Sequence, residues 1–179
     1  MNKIFIKLFL VVLIVGCSSE VTNQNDKDIF DGTYDNVIFT KDSFALLEFK
    51  FIKEYDVAEL PEAIEAHYGF FKRREFELRF YPSNELAKSS GVFFADEVTG
   101  KDAIIKKADS SWKEGIKDRM TSGVFGNKGN SPKYMDYVIL GNMIVLCPIE
   151  ISSSEIGAGE PLDNCRLLLS NLPEINQIN

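Results

Sequence analysis

The 179-residue chain contains one histidine, one tryptophan and three cysteines, and its 20 basic side chains are outnumbered by 27 acidic ones. Each scarcity closes a class of function. An acidic balance disfavours nucleic acid as a partner, because a phosphate backbone calls for a basic surface. With His67 as the single histidine, a zinc site of the usual kind lacks ligands, and acid–base work near neutral pH falls to that residue or to perturbed carboxylates. The longest apolar run, Leu8 to Val15, is shorter than the ~20 residues a membrane-spanning helix needs, and no second candidate span follows. No period of 20 to 50 residues is visible, which sets aside solenoids and propellers. The Gly-x-Ser-x-Gly elbow of serine hydrolases is missing too. No cofactor is expected.

The leader carries the sharpest pattern. Lys3 and Lys7 precede the apolar run Leu8-Phe9-Leu10-Val11-Val12-Leu13-Ile14-Val15, the order of a secretory signal. The four residues Ile14-Val15-Gly16-Cys17 resemble the lipobox of bacterial lipoproteins, with an aliphatic residue three before the cysteine and a small residue directly before it. The resemblance covers only this leader. It implies cleavage before Cys17, a diacylglyceryl group on its thiol and a further acyl chain on its new amino group, and several chains together anchor stably where one does not. Ser18, rather than Asp, follows the cysteine, which implies the outer membrane where the source has one and the outer face of the cell membrane otherwise. Residues 1–16 are then the signal, 17–30 the lipidated cysteine and a polar tether, and 31–179 one globular domain. Loss of Lys3 and Lys7 leaves 18 basic against 27 acidic side chains, a formal charge of −9. If Cys17 is acylated, Cys147 and Cys165 remain as an even pair in an oxidising setting, where such pairs usually bridge.

Within the domain, Leu47-Glu48-Phe49-Lys50-Phe51 alternates apolar and charged residues and reads as a strand. Leu60 to Gly69 reads as a short helix with Pro61 at its first turn and Gly69 as its stop. In Glu75-Phe76-Glu77-Leu78-Arg79-Phe80-Tyr81 the apolar residues share one face and the charges the other, a half-buried strand. Ser83 caps an expected helix that Gly100 closes, with Gly91 an awkward presence inside it. Ile104, Ala108, Trp112, Ile116 and Met120 recur every four residues and predict a second helix, with Trp112 in the core and Lys106, Lys107, Lys113, Lys117 and Arg119 on its wet side. Residues 121–133, with glycines at 123, 126 and 129 and Pro132, read as a long loop. Tyr137 to Leu140 and Met143 to Cys147 around Gly141-Asn142 predict a hairpin with a type I′ or II′ turn. Pro161 to Leu172 predicts a helix that the disulfide would staple to the second hairpin strand. The fold class is α+β: one domain, a small antiparallel sheet including the 137–147 hairpin, and helices mainly on one face.

Motifs with chemistry are sparse. Asp26, Asp28 and Asp31-Gly32 hint at a calcium loop, but Phe30 and Val37 stand where oxygen ligands belong, so no metal site is expected. The glycines 123, 126 and 129 lead to Asn130-Ser131-Pro132 and not to the Lys-Ser/Thr of a phosphate loop. His67 stands at an expected helix end, where a histidine commonly serves the helix dipole. Lys72, Arg73 and Arg74, flanked by Phe70, Phe71 and Phe76, form the one concentrated basic patch, suited to a lipid headgroup, an anionic glycan or an envelope protein, or else simply a solvated turn. The preferred reading is a membrane-anchored envelope lipoprotein whose domain is a non-catalytic binding or accessory module. The alternatives are an envelope hydrolase using carboxylate acid–base chemistry and a structural or assembly lipoprotein.

Overall fold

A computed structural model describes residues 28–122, 130–149 and 160–177. Cys17, most of the expected tether and the glycines at 123, 126 and 129 lie outside these residues. The main sheet is antiparallel and five-stranded, in the order β1–β2–β3–β7–β6. Its strands are β1 (Lys50–Tyr55), β2 (Glu65–Phe71), β3 (Arg74–Phe80), β6 (Tyr134–Leu140) and β7 (Met143–Pro148). A two-stranded ribbon joins β4 (Met120–Ser122) to β5 (Asn130–Pro132), so the ends of the expected long loop are paired. Helical residues fall in a 3-10 turn (Lys41–Phe44), in α1 (Asn84–Leu86), a π-helical turn (Ala87–Gly91) and α2 (Val92–Asp96), which run on as one stretch, and in α3 (Pro161–Leu169) and α4 (Pro173–Asn176). The α+β class with an antiparallel sheet is therefore the fold observed.

The 137–147 hairpin forms, with Gly141 at φ +53° and its partner Asn142 outside the positive-φ set, the backbone pattern of a type II′ turn. Glycine is needed there on a second count, because a Cβ would run into the Val37 carbonyl and the Phe39 ring. Asn142 is buried and ties the tip down, its Oδ1 accepting from Phe39 N at 2.7 Å and its Nδ2 donating to the Tyr81 carbonyl at 2.7 Å.

Two expected helices are absent. Residues 65–71 form β2, paired on both sides, and Pro61 instead occupies the second position of a turn in which Ala63 N donates to the Leu60 carbonyl and Glu62 has φ +62°. Aromatic residues that pack on a pleated surface outweigh the weak helix preference of Glu and Ala. Of the positions expected to be buried in the 104–120 segment, Trp112 and Ile116 are, Ile104 and Met120 are half-buried and Ala108 is exposed, and the segment runs as turns. Gly115 at φ +69° breaks any helix, and Ser110 Oγ donates to the Trp112 carbonyl, a local bond that competes with helical pairing. The Ser83-capped helix does form, Ser83 Oγ accepting from Leu86 N at 3.2 Å. Gly91 belongs there because a Cβ would stand 2.5 Å from Tyr81 Oη and 2.6 Å from Ile144 Cδ1.

Alternation along the strands gives the sheet two unlike faces. Phe76, Leu78, Phe80, Val138, Leu140, Met143, Val145 and Cys147 point to one side, where they pack with Phe39, Phe44 and the Leu168, Leu169 and Leu172 row. Cys147 and Cys165 are bonded, with Cα atoms 5.4 Å apart, tying α3 to β7. On the other side Ile144 and Leu146 lie with Ala87, Ala95 and Val98, and the segment from Glu97 to Arg119 crosses beside them.

Candidate functional site

That second face holds a group of charges sealed from water. β3 is the central strand, so Glu77 and Arg79, expected on a wet face, are covered and fully buried. Arg119, expected on the solvent side of a helix, is 1% exposed and reaches the same carboxylate. Arg119 Nε donates to Glu77 Oε2 at 2.7 Å and Nη2 to Oε1 at 3.1 Å, while Arg79 Nε donates to Oε1 at 2.8 Å. Trp112 stacks with both guanidinium groups, its ring centroid 5.0 Å from Arg79 Cζ and 4.4 Å from Arg119 Cζ. The ring is fixed in turn by its Nε1, which donates to the Asp56 carbonyl at 3.1 Å, and by an edge-on contact with Tyr55.

The electrostatics are uneven. Burial alone would raise the Glu77 carboxyl, but Arg119 and Arg79 beside it hold it below the ordinary carboxylate range, so it is ionised. Burial likewise works against the Arg119 charge and Glu77 overrides it. Two guanidinium cations thus share one carboxylate. Glu77 accepts three bonds, yet Arg79 Nη1 and Nη2 and Arg119 Nη1 are buried without a partner among the described residues. The hydroxyls of Tyr81 and Tyr134 are buried and likewise without a partner among the described residues. Burial raises both phenols, which keeps them protonated and able to donate. Asp118 accepts from Tyr55 Oη at 2.9 Å and pairs with Lys53, Glu75 pairs with Lys133, and Glu97 accepts from Ser111 N through Oε1 while its Oε2 is buried without a partner among the described residues.

The expected basic patch is divided. Lys72 and Arg73 are the two exposed residues of the β2–β3 turn, at φ +46° and +65°, while Arg74 opens β3 and is partly buried. Lys72 and Arg73 line a cleft of about 480 Å³ with Glu48, Phe49, Lys50 and Phe70. His67 is not at a helix end; it is buried in β2 between Phe51 and Phe80, with Nε2 2.7 Å from Glu65 Oε2. Among the described residues, no three His, Cys, Asp or Glu side chains gather in a group able to hold a metal ion.

Residues 40–174 match the model of a family of unknown function, DUF6810. The chain belongs to that family. The DUF6810 match takes in Glu77, Arg79, Trp112, Arg119 and Cys147–Cys165, and begins after Cys17. Neither the curated proteins nor the solved structures provide a match. Sequence reasoning missed the Glu77–Arg79–Arg119 group because alternating charges on a strand read as a solvated face. The usable signal was Tyr81 and Trp112, aromatic residues that need cover beside those charges.

Proposed function

We propose that this DUF6810 protein is an exported lipoprotein, held on a bacterial membrane through lipid on Cys17, whose domain is a binding or accessory module of the envelope. The observation that carries the reading is the order Lys3, Lys7, apolar run, Gly16, Cys17. The Cys147–Cys165 bond supports it, since such bonds persist in exported proteins and are rare in the reducing cytosol. An envelope protein or an anionic glycan is the partner whose charge suits the exposed Lys72 and Arg73 beside their cleft. Glu77 does not favour the hydrolase alternative: a general acid asks for a carboxyl raised toward neutrality, and Arg119 and Arg79 hold this one down.

Labelling growing cells with a palmitate analogue tests the anchor. The wild-type chain takes up label and sediments with membranes, and Cys17→Ala loses both. Label retained by Cys17→Ala would rule the anchor out. Crosslinking in the native envelope tests the turn: Lys72→Glu with Arg73→Glu loses captured partners, and an unchanged set of partners discards that surface.

A further inference from the structure

Among the described residues, three nitrogens of the buried guanidinium groups on the second face have no acceptor. We propose that Arg79 and Arg119 form the receptor for an oxyanion, a carboxylate or phosphate group on the ligand, held by the guanidinium nitrogens that Glu77 leaves unused. This names the ligand chemistry of the binding module proposed above and rests on that reading.

Three observations support it. First, Arg79 Nη1 and Nη2 and Arg119 Nη1 are buried and without a partner among the described residues, and the Tyr81 and Tyr134 hydroxyls are two further buried donors. Guanidinium forks match the geometry of carboxylate and phosphate oxygens, and bonds between charged groups are the strong ones. Second, two cations share one carboxylate, and an unbalanced buried charge is a large penalty. Water would accept the hydrogen bonds but leave the charge; an anion answers both. Third, the arginines are pre-oriented. Each Nε is committed to Glu77 and each Cζ lies within 5.0 Å of the Trp112 centroid, so little side-chain freedom remains to be lost on binding.

The unpartnered nitrogens are closed to solvent, so a ligand enters only as the Glu97–Arg119 segment shifts from the sheet. That segment carries both Arg119 and Trp112 and is built of turns beyond α2. Binding therefore reports at Trp112, the chain's single tryptophan.

The test is titration of the full chain in detergent with sodium phosphate and, separately, sodium acetate, against sodium chloride at matched ionic strength. Trp112 fluorescence and the thermal midpoint are followed together. The expected result is a saturable fluorescence change and a rising midpoint with phosphate or acetate and not with chloride; the anion with the tighter response assigns the ligand group. Arg79→Lys should weaken that response about ten-fold, since a point charge does not reproduce the fork. Tyr134→Phe removes a buried hydroxyl without a partner among the described residues, so it keeps the fold and, with no anion present, a midpoint at least as high as wild type. It should weaken anion binding about five-fold, on the scale of one hydrogen bond. No saturable response to either oxyanion, an equal response to chloride, or an affinity unchanged by Tyr134→Phe overturns the proposal. A negative outcome leaves the Cys17 anchor standing, because acyl labelling reads it separately.

Discussion

The two faces of the sheet are built on opposite terms although the same strands make them. On one, Phe76, Leu78 and Phe80 of β3 meet Val145 and the Leu168–Leu169 pair, and cohesion comes from apolar surface removed from water, which is tolerant of direction. On the other, Glu77 and Arg79 of the same strand meet Arg119 under Trp112, and cohesion requires each donor and acceptor to be placed. The apolar face gains a covalent staple between Cys147 and Cys165. The ionic face has donors to spare. A fully satisfied network would be architecture, and one with unspent cationic donors is where a ligand would be received.

The largest break in that contrast should come from Glu77→Gln. It strands two guanidinium cations in the interior, and removing one partner from a buried ionic group typically costs about 3–5 kcal/mol. Urea unfolding at neutral pH measures it. Replacing Glu77, Arg79 and Arg119 together by Leu, Met and Met should cost far less, or even stabilise by about 1–4 kcal/mol, because the desolvated charges go with their bonds. The pH dependence has a definite sign. The folded Glu77 carboxyl lies below its unfolded value of about 4.3, so its stabilisation is fully present above that pH and is lost as pH falls through the folded value. Glu77→Gln should lack that acid-side loss. A loss under about 1 kcal/mol for the single substitution, against the range above, would show that the ionic face does not hold the sheet's cover.

The staple gives a smaller effect and a sharper separation of the faces. Cys147 and Cys165 are 18 positions apart, so changing both to Ala should cost roughly 3 kcal/mol under the chain-entropy model. Because the bond lies on the apolar face, Trp112 fluorescence of the folded protein should not change. A shifted Trp112 spectrum would mean that the two faces communicate through β7.

What was legible in the sequence divides along the same line. β3 and α3 could be read because their apolar residues sit on the face where period alone decides burial, and the β6–β7 hairpin because two β-rich runs flank Gly141-Asn142. β2 was misread because Pro61 and Glu62-Ala63 look like a helix start, whereas pairing with β1 and β3 settles the conformation and is not a local property. The 104–120 period held only in part as burial, with Trp112 and Ile116 inside, Ile104 and Met120 half-buried and Ala108 exposed, and Gly115 denied it a helix. The ionic group was invisible for a related reason. Whether Glu77 and Arg79 meet water depends on β3 being central and on a segment about 40 residues later folding over it, with Arg119 at its end.

The β2–β3 turn should yield the smallest effect, and a gain. Lys72 and Arg73 form a two-residue loop with φ +46° and +65°, the left-handed pair of a type I′ turn, for which neither side chain is suited. A non-glycine residue in that region carries strain of about 1 kcal/mol or more, partly offset in a glycine variant by the greater freedom of its unfolded chain. Lys72→Asn with Arg73→Gly should therefore raise stability by about 1 kcal/mol, leaving the acid-side behaviour of Glu77 and the Trp112 signal as they were. If the strained pair is kept for contact with a partner, the same variant gains in the urea midpoint while losing its crosslinked partners in the envelope. Stability that stays level or falls would mean that the exposed Lys72 and Arg73 side chains contribute to the hairpin itself, including the Lys72 Nζ that lies 5.1 Å from the Phe71 ring centroid.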